Sequence, residues 1–255
     1  MKTASVKEIK RILMNVKDEH DPLIAELATD TRKGVIELLD KWRRARLQEK
    51  QDWHNYQSMT QFEQEARIQG YQYIAGIDEA GRGPLAGPVV SAAVILHENS
   101  YFQGLNDSKK INEQKRKELY RRIMDEAIAV GIGIISAEEI DRLNIYEATK
   151  KSMREAIQNL STQPDYLLID AVNLKSIYPE NPIIKGDARS VSIAAASIIA
   201  KVTRDQIMKE YHHKYPDYGF NVHMGYGTKI HLEAIKTFGP CSIHRKTFAP
   251  LKTMP

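Results

Sequence analysis

Apolar residues recur at helical spacing near the start of the chain, then gather from Tyr71 onward into short runs typical of buried strands. Val6, Ile9, Ile12 and Leu13 mark a first helix. Val35, Leu38, Leu39 and Trp42 mark one face of a long one, with Asp30 or Thr31 as its cap and Gly70 as its end. Charges of both signs cover the other faces, so residues 1–70 are expected to form a helical N-terminal extension, a solvated appendage in preference to a dedicated binding module. Beyond it, YQYIAGID and PVVSAAVIL predict two strands joined by the loop EAGRGPLAG. Asn112 predicts the cap of a basic helix reaching about Ala129, followed by the strand VGIGIIS and two helical stretches between Ala137 and Leu160. A strand, YLLIDAV, follows Pro164. The segment YPENPIIKGDARS predicts a loop leading into a long apolar helix from about Val191 to His212, and Thr228 caps a last helix ending near Phe238. Neighbouring strands that then alternate with helices predict an α/β fold, a mixed sheet flanked by helices, over residues 71–255.

Composition narrows the class. Of 255 residues, 42% are hydrophobic and 27% charged, enough apolar material for a buried core. No apolar run approaches the roughly 20 residues that span a bilayer, and the N-terminus has no secretory pattern. The single cysteine, Cys241, rules out an internal disulfide and a cysteine-rich zinc site; a cytoplasmic protein with no membrane partner is expected. The net charge of +4 permits a nucleic-acid partner without demanding one. Basic residues crowd Lys109–Arg122, Lys201–Lys214 and Arg245–Lys252, away from the most conspicuous acids.

Those acids are Asp78 and Glu79, at the end of an apolar strand and before the flexible turn Gly81-Arg82-Gly83. Rigidly held yet open carboxylates suit hard, oxygen-seeking cations, although the pair alone reads equally well as turn acids. Asp170 ends another apolar strand in the same way, and Asp187 follows in a Lys-Gly-Asp loop where it would otherwise serve the start of the next helix. If the two strands are neighbours, these carboxylates converge and require a divalent cation between them, Mg²⁺ or Mn²⁺ given an all-oxygen donor set. Two such ions can activate water and stabilise a leaving oxygen in phosphodiester hydrolysis.

Rival motifs fail on spacing. Gly81 to Gly87 misses the dinucleotide fingerprint by one position, and Gly76 to Arg82 offers an arginine and two acids where a phosphate loop needs lysine and a hydroxyl. His212, His213, His223 and His231 are expected to be exposed or substrate-facing, and Cys241 structural. Ser108, Lys109 and Lys110 precede a basic helix and can hold a phosphate, and Ser197, Lys201 and Arg204 share a helix face. Tyr226, between two glycines, can stack on a sugar or base.

The segments GIDEAGRGPLAGPVV, LNDSKKI, LLIDAV, KGDARS, ASIIAKVTRD and HMGYGT, in that order, resemble the type 2 ribonucleases H, specifically the bacterial ribonuclease HII family. The resemblance runs from about Tyr71 to the C-terminus. It implies a ribonuclease H-like fold and cleavage of the RNA strand of RNA:DNA hybrids, and 5′ to single ribonucleotides embedded in duplex DNA. Products would carry 5′-phosphate and 3′-hydroxyl ends, formed by two-metal-ion hydrolysis. It makes Asp78, Glu79, Asp170 and Asp187 the metal-binding and catalytic acids. Gly81, Arg82 and Gly83 become the turn that senses a 2′-hydroxyl, and Tyr226 the ring that packs on the following deoxyribose. Ser108, Lys109, Lys110, Ser197, Lys201 and Arg204 fall in segments that hold the backbone. A monomer is expected. The sister ribonucleases HIII usually differ at the glycine turn, lack the tyrosine and carry an N-terminal domain containing a sheet. A non-catalytic hybrid binder would have no use for the clustered acids, and a junction resolvase no reason to prefer a 2′-hydroxyl.

Overall fold

The structure is a computed structural model, in which residues 4–253 are described. It divides into two compact units, Met1–Asn55 and Tyr56–Pro255. Helices α1 (Val6–Leu13), α2 (Pro22–Ala28) and most of α3 (Lys33–Met59) make up the first. Ser5 and Glu8 close α1 with a reciprocal capping box. The core of this unit is Ile9, Leu13, Ile24, Leu27, Val35, Leu39 and Trp42. Val6 and Ile12, on the flanks of the apolar stripe, stay 40% exposed.

The second unit holds α4 (Gln61–Ile68) and then the sheet. Its strands are β1 (Ile74–Ala80), β2 (Val89–Ile95), β3 (Ala129–Ile135), β4 (Tyr166–Asp170) and β5 (Glu180–Ile183). Between and after them come α5 (Glu113–Glu126), α6 (Ala137–Leu143), α7 (Ile145–Gln158), α8 (Val191–Lys214), the single turn α9 (Phe220–His223) and α10 (Lys229–Phe238). The sheet order is β3-β2-β1-β4-β5; β1, β2 and β3 pair antiparallel, while β1–β4 and β4–β5 pair parallel. The expected mixed sheet flanked by helices is present, and the caps at Asn112 and Thr228 are those the sequence predicts. Strand β5 was expected to be loop. Its Pro182 lacks an N–H, which is tolerated because β5 is an edge strand.

Two apolar layers sandwich the sheet. On one face Ala75, Ile77, Leu167 and Ile169 pack with Met153, Ala156 and Ile157 of α7. On the other, Ala92 and Val94 meet the small residues Ala194, Ala195, Ala196 and Ala200 of α8, with Leu119 and Ile123 of α5 beyond. Helix α8 comes so near β1 that a Cβ on Gly76 would lie 2.0 Å from the Ser192 carbonyl carbon and 2.3 Å from the Ile193 nitrogen. Both obstacles are backbone, so neither can rotate away.

Gly76→Ala is therefore expected to cost about 3 kcal/mol of folding stability, at the upper end of overpacking penalties. That is on the order of a 10 °C fall in Tm for a unit of this size, measured by thermal unfolding. An unchanged Tm would show that helix and strand do not approach so closely.

Candidate active site

The parallel register sets the centre of the site. Ile77 pairs with Ile169, so Asp78 and Asp170 are the next residues on adjacent strands and alternate to the same face. That face carries Gly76, and hence α8. Asp78 is buried; its carboxylate accepts the Glu79 N–H at 2.7 Å, and the Ser197 hydroxyl on α8, which donates to Ser108, lies close enough to help hold its charge. Asp170 Oδ1 accepts the Gly186 N–H at 2.7 Å, which fastens the short turn Gly186–Ala188, and with it Asp187, to the end of β4. Lys109 Nζ stands 3.7 Å from Asp187 Oδ2, and Arg82 Nη1 lies 3.4 Å from Glu79 Oε1.

The electrostatics are those of crowded carboxylates. Burial, then Glu79 and Asp170, push Asp78 well above the usual range. Burial also raises Glu79, with Asp170 adding to it and Arg82 opposing. Asp187 is raised by burial and by Asp107 and Asp170, with Lys109 opposing. The second oxygen of Glu79, Oε2, is buried without a hydrogen-bond partner. An orphaned buried carboxylate oxygen among like charges, in an all-oxygen donor set, fits a hard divalent cation. As the side chains are oriented, no three His, Cys, Asp or Glu among the described residues form a metal-holding group. The fit is thus one of donor chemistry and uncompensated charge.

Beside the acids runs a groove of about 450 Å³, lined by Glu79 to Gly83, Ser108, Lys109, Ser197, Lys201, Arg204 and Tyr226. Most of the predicted binding residues therefore meet in one place. Ser108 and Ser197 are buried and joined by a 2.8 Å hydrogen bond, and Lys201 is paired with Asp205 at 2.7 Å. Lys110 is exposed and does not line the groove. Tyr226 is 47% exposed, with its ring edge 3.9 Å from where a Gly83 Cβ would be.

Arg204 departs from the expectation of a backbone-holding residue. It is 1% exposed, and its guanidinium donates to the carbonyls of Pro88, Ala86 and Met224 at 3.0, 3.1 and 3.0 Å. Its helical spacing with Ser197 and Lys201 is real, but two loops cover its end of that face. Arg245, visible in the sequence only as one residue of a basic segment, does the same for the glycine turn. It donates to Gly81 O at 2.5 Å, Arg82 O at 2.9 Å and Gly87 O at 2.9 and 3.0 Å. Burial, and then Arg204, lower its pKa to about 9. A signal for it existed: a loop of glycines and prolines has carbonyls with no strand partner, and such groups need donors.

Two of the histidines also depart from expectation, while His213 is exposed as expected. His223 and His231 are buried with His244, their rings 4.5 to 5.2 Å apart in sequence of contact. His231 Nδ1 faces the Tyr226 carbonyl at 2.9 Å, so it must donate. Its Nε2 then accepts from His244 Nε2 at 3.0 Å, and His244 Nδ1 accepts the Cys241 N–H at 2.9 Å. Burial holds His231 and His244 down to about 4, so both stay neutral and the chain of donors holds the Tyr226 loop from beneath.

Known proteins share this architecture. The ribonuclease H2 of Pyrococcus horikoshii OT3 aligns with a TM-score of 0.62 at 27% identity, covering 71% of this chain and 96% of that one. Bst-RNase HIII, solved in complex with Mn²⁺, shares the fold with a TM-score of 0.58 at 19% identity, covering 73% of this chain and 70% of that one. The fold is that of a ribonuclease H, a nuclease. The family model for Ribonuclease HII matches residues 75–251, and that for the Ribonuclease HII N-terminal domain matches residues 5–67. Ribonuclease HII of Bacillus licheniformis is 57% identical over 252 residues, 99% of each chain. The chain belongs to the ribonuclease HII family. Among the described residues no helix is long and apolar enough to cross a membrane.

The acid cluster makes a prediction for the metal-free protein. A carboxyl raised by folding contributes its full stability at low pH and loses it as pH rises through the folded value, so at pH 8 the charged form of Asp78 is a cost. In chelator at pH 8, Asp78→Asn is expected to be more stable than the parent by about 1–3 kcal/mol. The gain should vanish toward pH 3. Denaturant unfolding at both values checks it; a loss of stability at pH 8 would mean the acids do not repel one another.

Proposed function

We propose that this protein cuts the RNA strand of RNA:DNA hybrids, and the 5′ side of single ribonucleotides embedded in duplex DNA, leaving 5′-phosphate and 3′-hydroxyl ends. The observation that carries the reading is the groove in which Glu79 of the acid pair, the glycine turn, basic side chains and an exposed tyrosine ring line one surface. In this reading the catalytic unit is residues 71–255, and residues 1–70 are a helical extension to it. The enzyme works as a monomer in the cytoplasm.

Asp78, Glu79, Asp170 and Asp187 hold the divalent ions, Mg²⁺ or Mn²⁺, which when bound activate water and stabilise the leaving oxygen. Ser197 steadies Asp78, and the Gly186 amide steadies Asp170. Lys109, Lys201, Ser108 and Ser197 face the backbone phosphates, with Lys110 at the outer edge. The Gly81, Arg82 and Gly83 peptides, fixed from behind by Arg245, read the 2′-hydroxyl through their N–H groups. Tyr226 packs against the next sugar, and a ribose there is disfavoured because its extra hydroxyl meets the ring. Arg204 acts in this scheme by tying the glycine loop to the Tyr226 loop, without touching the nucleic acid.

A labelled duplex with one ribonucleotide, beside an all-DNA control, is the direct test. Metal-dependent cleavage on the 5′ side of the ribonucleotide is expected, with the control intact and chelator abolishing the cut. Asp78→Asn should lower turnover by at least about 10³-fold while hybrid binding persists. Tyr226→Ala should depress cleavage at the single ribonucleotide about 10-fold or more, and cleavage within long hybrids less. Unchanged turnover in Asp78→Asn would remove the site assignment. Activity confined to long hybrids would remove the junction specificity.

A further inference from the structure

Helix α8 starts without an acid of its own. Ser190 caps it by accepting the Ile193 N–H, but its first turn contains no acidic residue, and the position where a capping box would put glutamate is Ile193 itself. The missing carboxylate comes from elsewhere. Glu63 of α4 is only 7% exposed, and its Oε1 accepts the Ser190 hydroxyl at 2.6 Å, the Ser192 N–H at 3.0 Å and the Ser192 hydroxyl. A carboxylate at a helix N-terminus is favoured by the unpaired N–H groups and by the helix dipole. Here it is supplied by a different helix, across 127 residues of sequence.

The same contact reaches the active site. Ser190 closes the turn that bears Asp187: its N–H and that of Arg189 both donate to Gly186 O at 2.9 Å. Gly186 N–H in turn holds Asp170. Glu63, Ser190, Gly186 and Asp170 therefore form one continuous path of hydrogen bonds, with Asp187 on the turn in its middle. Nothing else on α4 hydrogen-bonds to this turn; the cation–π contact of Arg189 with Phe62 lies alongside it. The other oxygen, Oε2, is buried without a partner beside a cavity of about 190 Å³ lined in part by Tyr56, Thr60, Gln64 and Ser192. Packing against the sheet does not account for a buried, half-satisfied acid at this spot. An apolar residue would fill it at less cost unless the carboxylate has a task.

We infer that Glu63 is a positioning residue for the acid site: by capping α8 from outside, it sets the Gly186–Ser190 turn and so the placement of Asp187 and Asp170 for metal binding. This rests on the site reading given above. Partners one step behind metal ligands typically carry about 10- to 100-fold of metal affinity, and that is the range at stake.

The test uses the full chain with Mn²⁺ as the probe, measured by calorimetric titration and by the Mn²⁺-induced rise in Tm, alongside cleavage kinetics. Glu63→Ala is expected to weaken Mn²⁺ binding about 10-fold or more. KM for a labelled hybrid should stay within about twofold, since Glu63 does not line the groove. Glu63→Gln, which keeps an acceptor oxygen for the serines, should restore Mn²⁺ binding to within about threefold of the parent. If Glu63→Ala does not fold, Glu63→Asp takes its place; the carboxylate then sits one methylene farther from the serines, and weaker Mn²⁺ binding is again expected. Lowered Tm with unchanged Mn²⁺ binding, in either variant, would show Glu63 to be structural only and overturn the inference. Asp187→Asn is the separate control. Were it to bind Mn²⁺ and cleave like the parent, the site reading itself would fall, whatever Glu63 does.

Discussion

The near-contact of α8 with β1 at Gly76 is the constraint on which the site depends. A helix can lie this close to a strand only where the strand has no side chain and the helix offers small ones, which is what Gly76 and the alanines of α8 provide. Because strand side chains alternate, the residue two positions past Gly76 must point at the same helix, and that residue is Asp78. Its partner Ser197 lies five residues beyond Ser192, a little over one turn along α8. Pulling the helix away would expose Asp78, release Ser197 and draw the Asp187 turn off the end of β4. An acid can be kept buried here only because the apolar contacts on both sheet faces hold the layers together around it.

A second constraint fixes the substrate side. The loop from Gly81 to Pro88 leaves one strand and enters another with its carbonyls turned inward, and two buried guanidiniums take them up. Among the described residues no carboxylate pairs with either arginine. Charged hydrogen bonds contribute about 1.5–3 kcal/mol each, and burying an ion costs several kcal/mol. The two terms are of similar size, so the arginines add little net stability. What they add is position. Arg245 holds the glycine turn, Arg204 spans the loops at Ala86 and Met224, and the histidine chain holds the carbonyl of Tyr226. The three supports meet beneath one patch of surface, so that the turn and the tyrosine ring are set relative to each other before any ligand arrives.

How much of this was legible follows from the range of each interaction. Strands β1 to β4 and helices α5, α8 and α10 announce themselves through local period and caps, and the strand-end acids through the abrupt change from apolar to charged. Strand β5 was hidden because Pro179 and Pro182 read as loop, and only its place at the sheet edge permits them. Arg204 was visible as a residue but misjudged in role, since a helix face says nothing of loops that fold over it. The burial of His223, His231 and His244 likewise depends on segments brought together from 13 residues away or more in the case of the paired nitrogens. Arg245 and Glu63 act across 164 and 127 residues, and no local pattern encodes such a partner. What did carry over intact was the grouping: residues chosen one by one along the chain, Lys110 apart, prove to be neighbours.

The charges make a final point about why both constraints are needed. Four acids lie together beside the groove, with Glu79 lining it, and two guanidiniums without acidic partners among the described residues lie under the loop that carries the glycine turn. Each cluster is costly alone: burial and like charge raise Asp78, and burial lowers Arg204 and Arg245. In the reading proposed above, a polyanion crossing the groove would feel the field of both without touching the arginines. Its phosphates are drawn to the side backed by arginine and lysine and would be repelled by the acids unless cations stand between. On the same reading, electrostatics of this kind would favour one orientation of the backbone and make its full seating depend on divalent metal. Rigidity is the condition for it, because acids and arginines free to relax would neutralise one another across the turn, and the field that orients the strand would be lost.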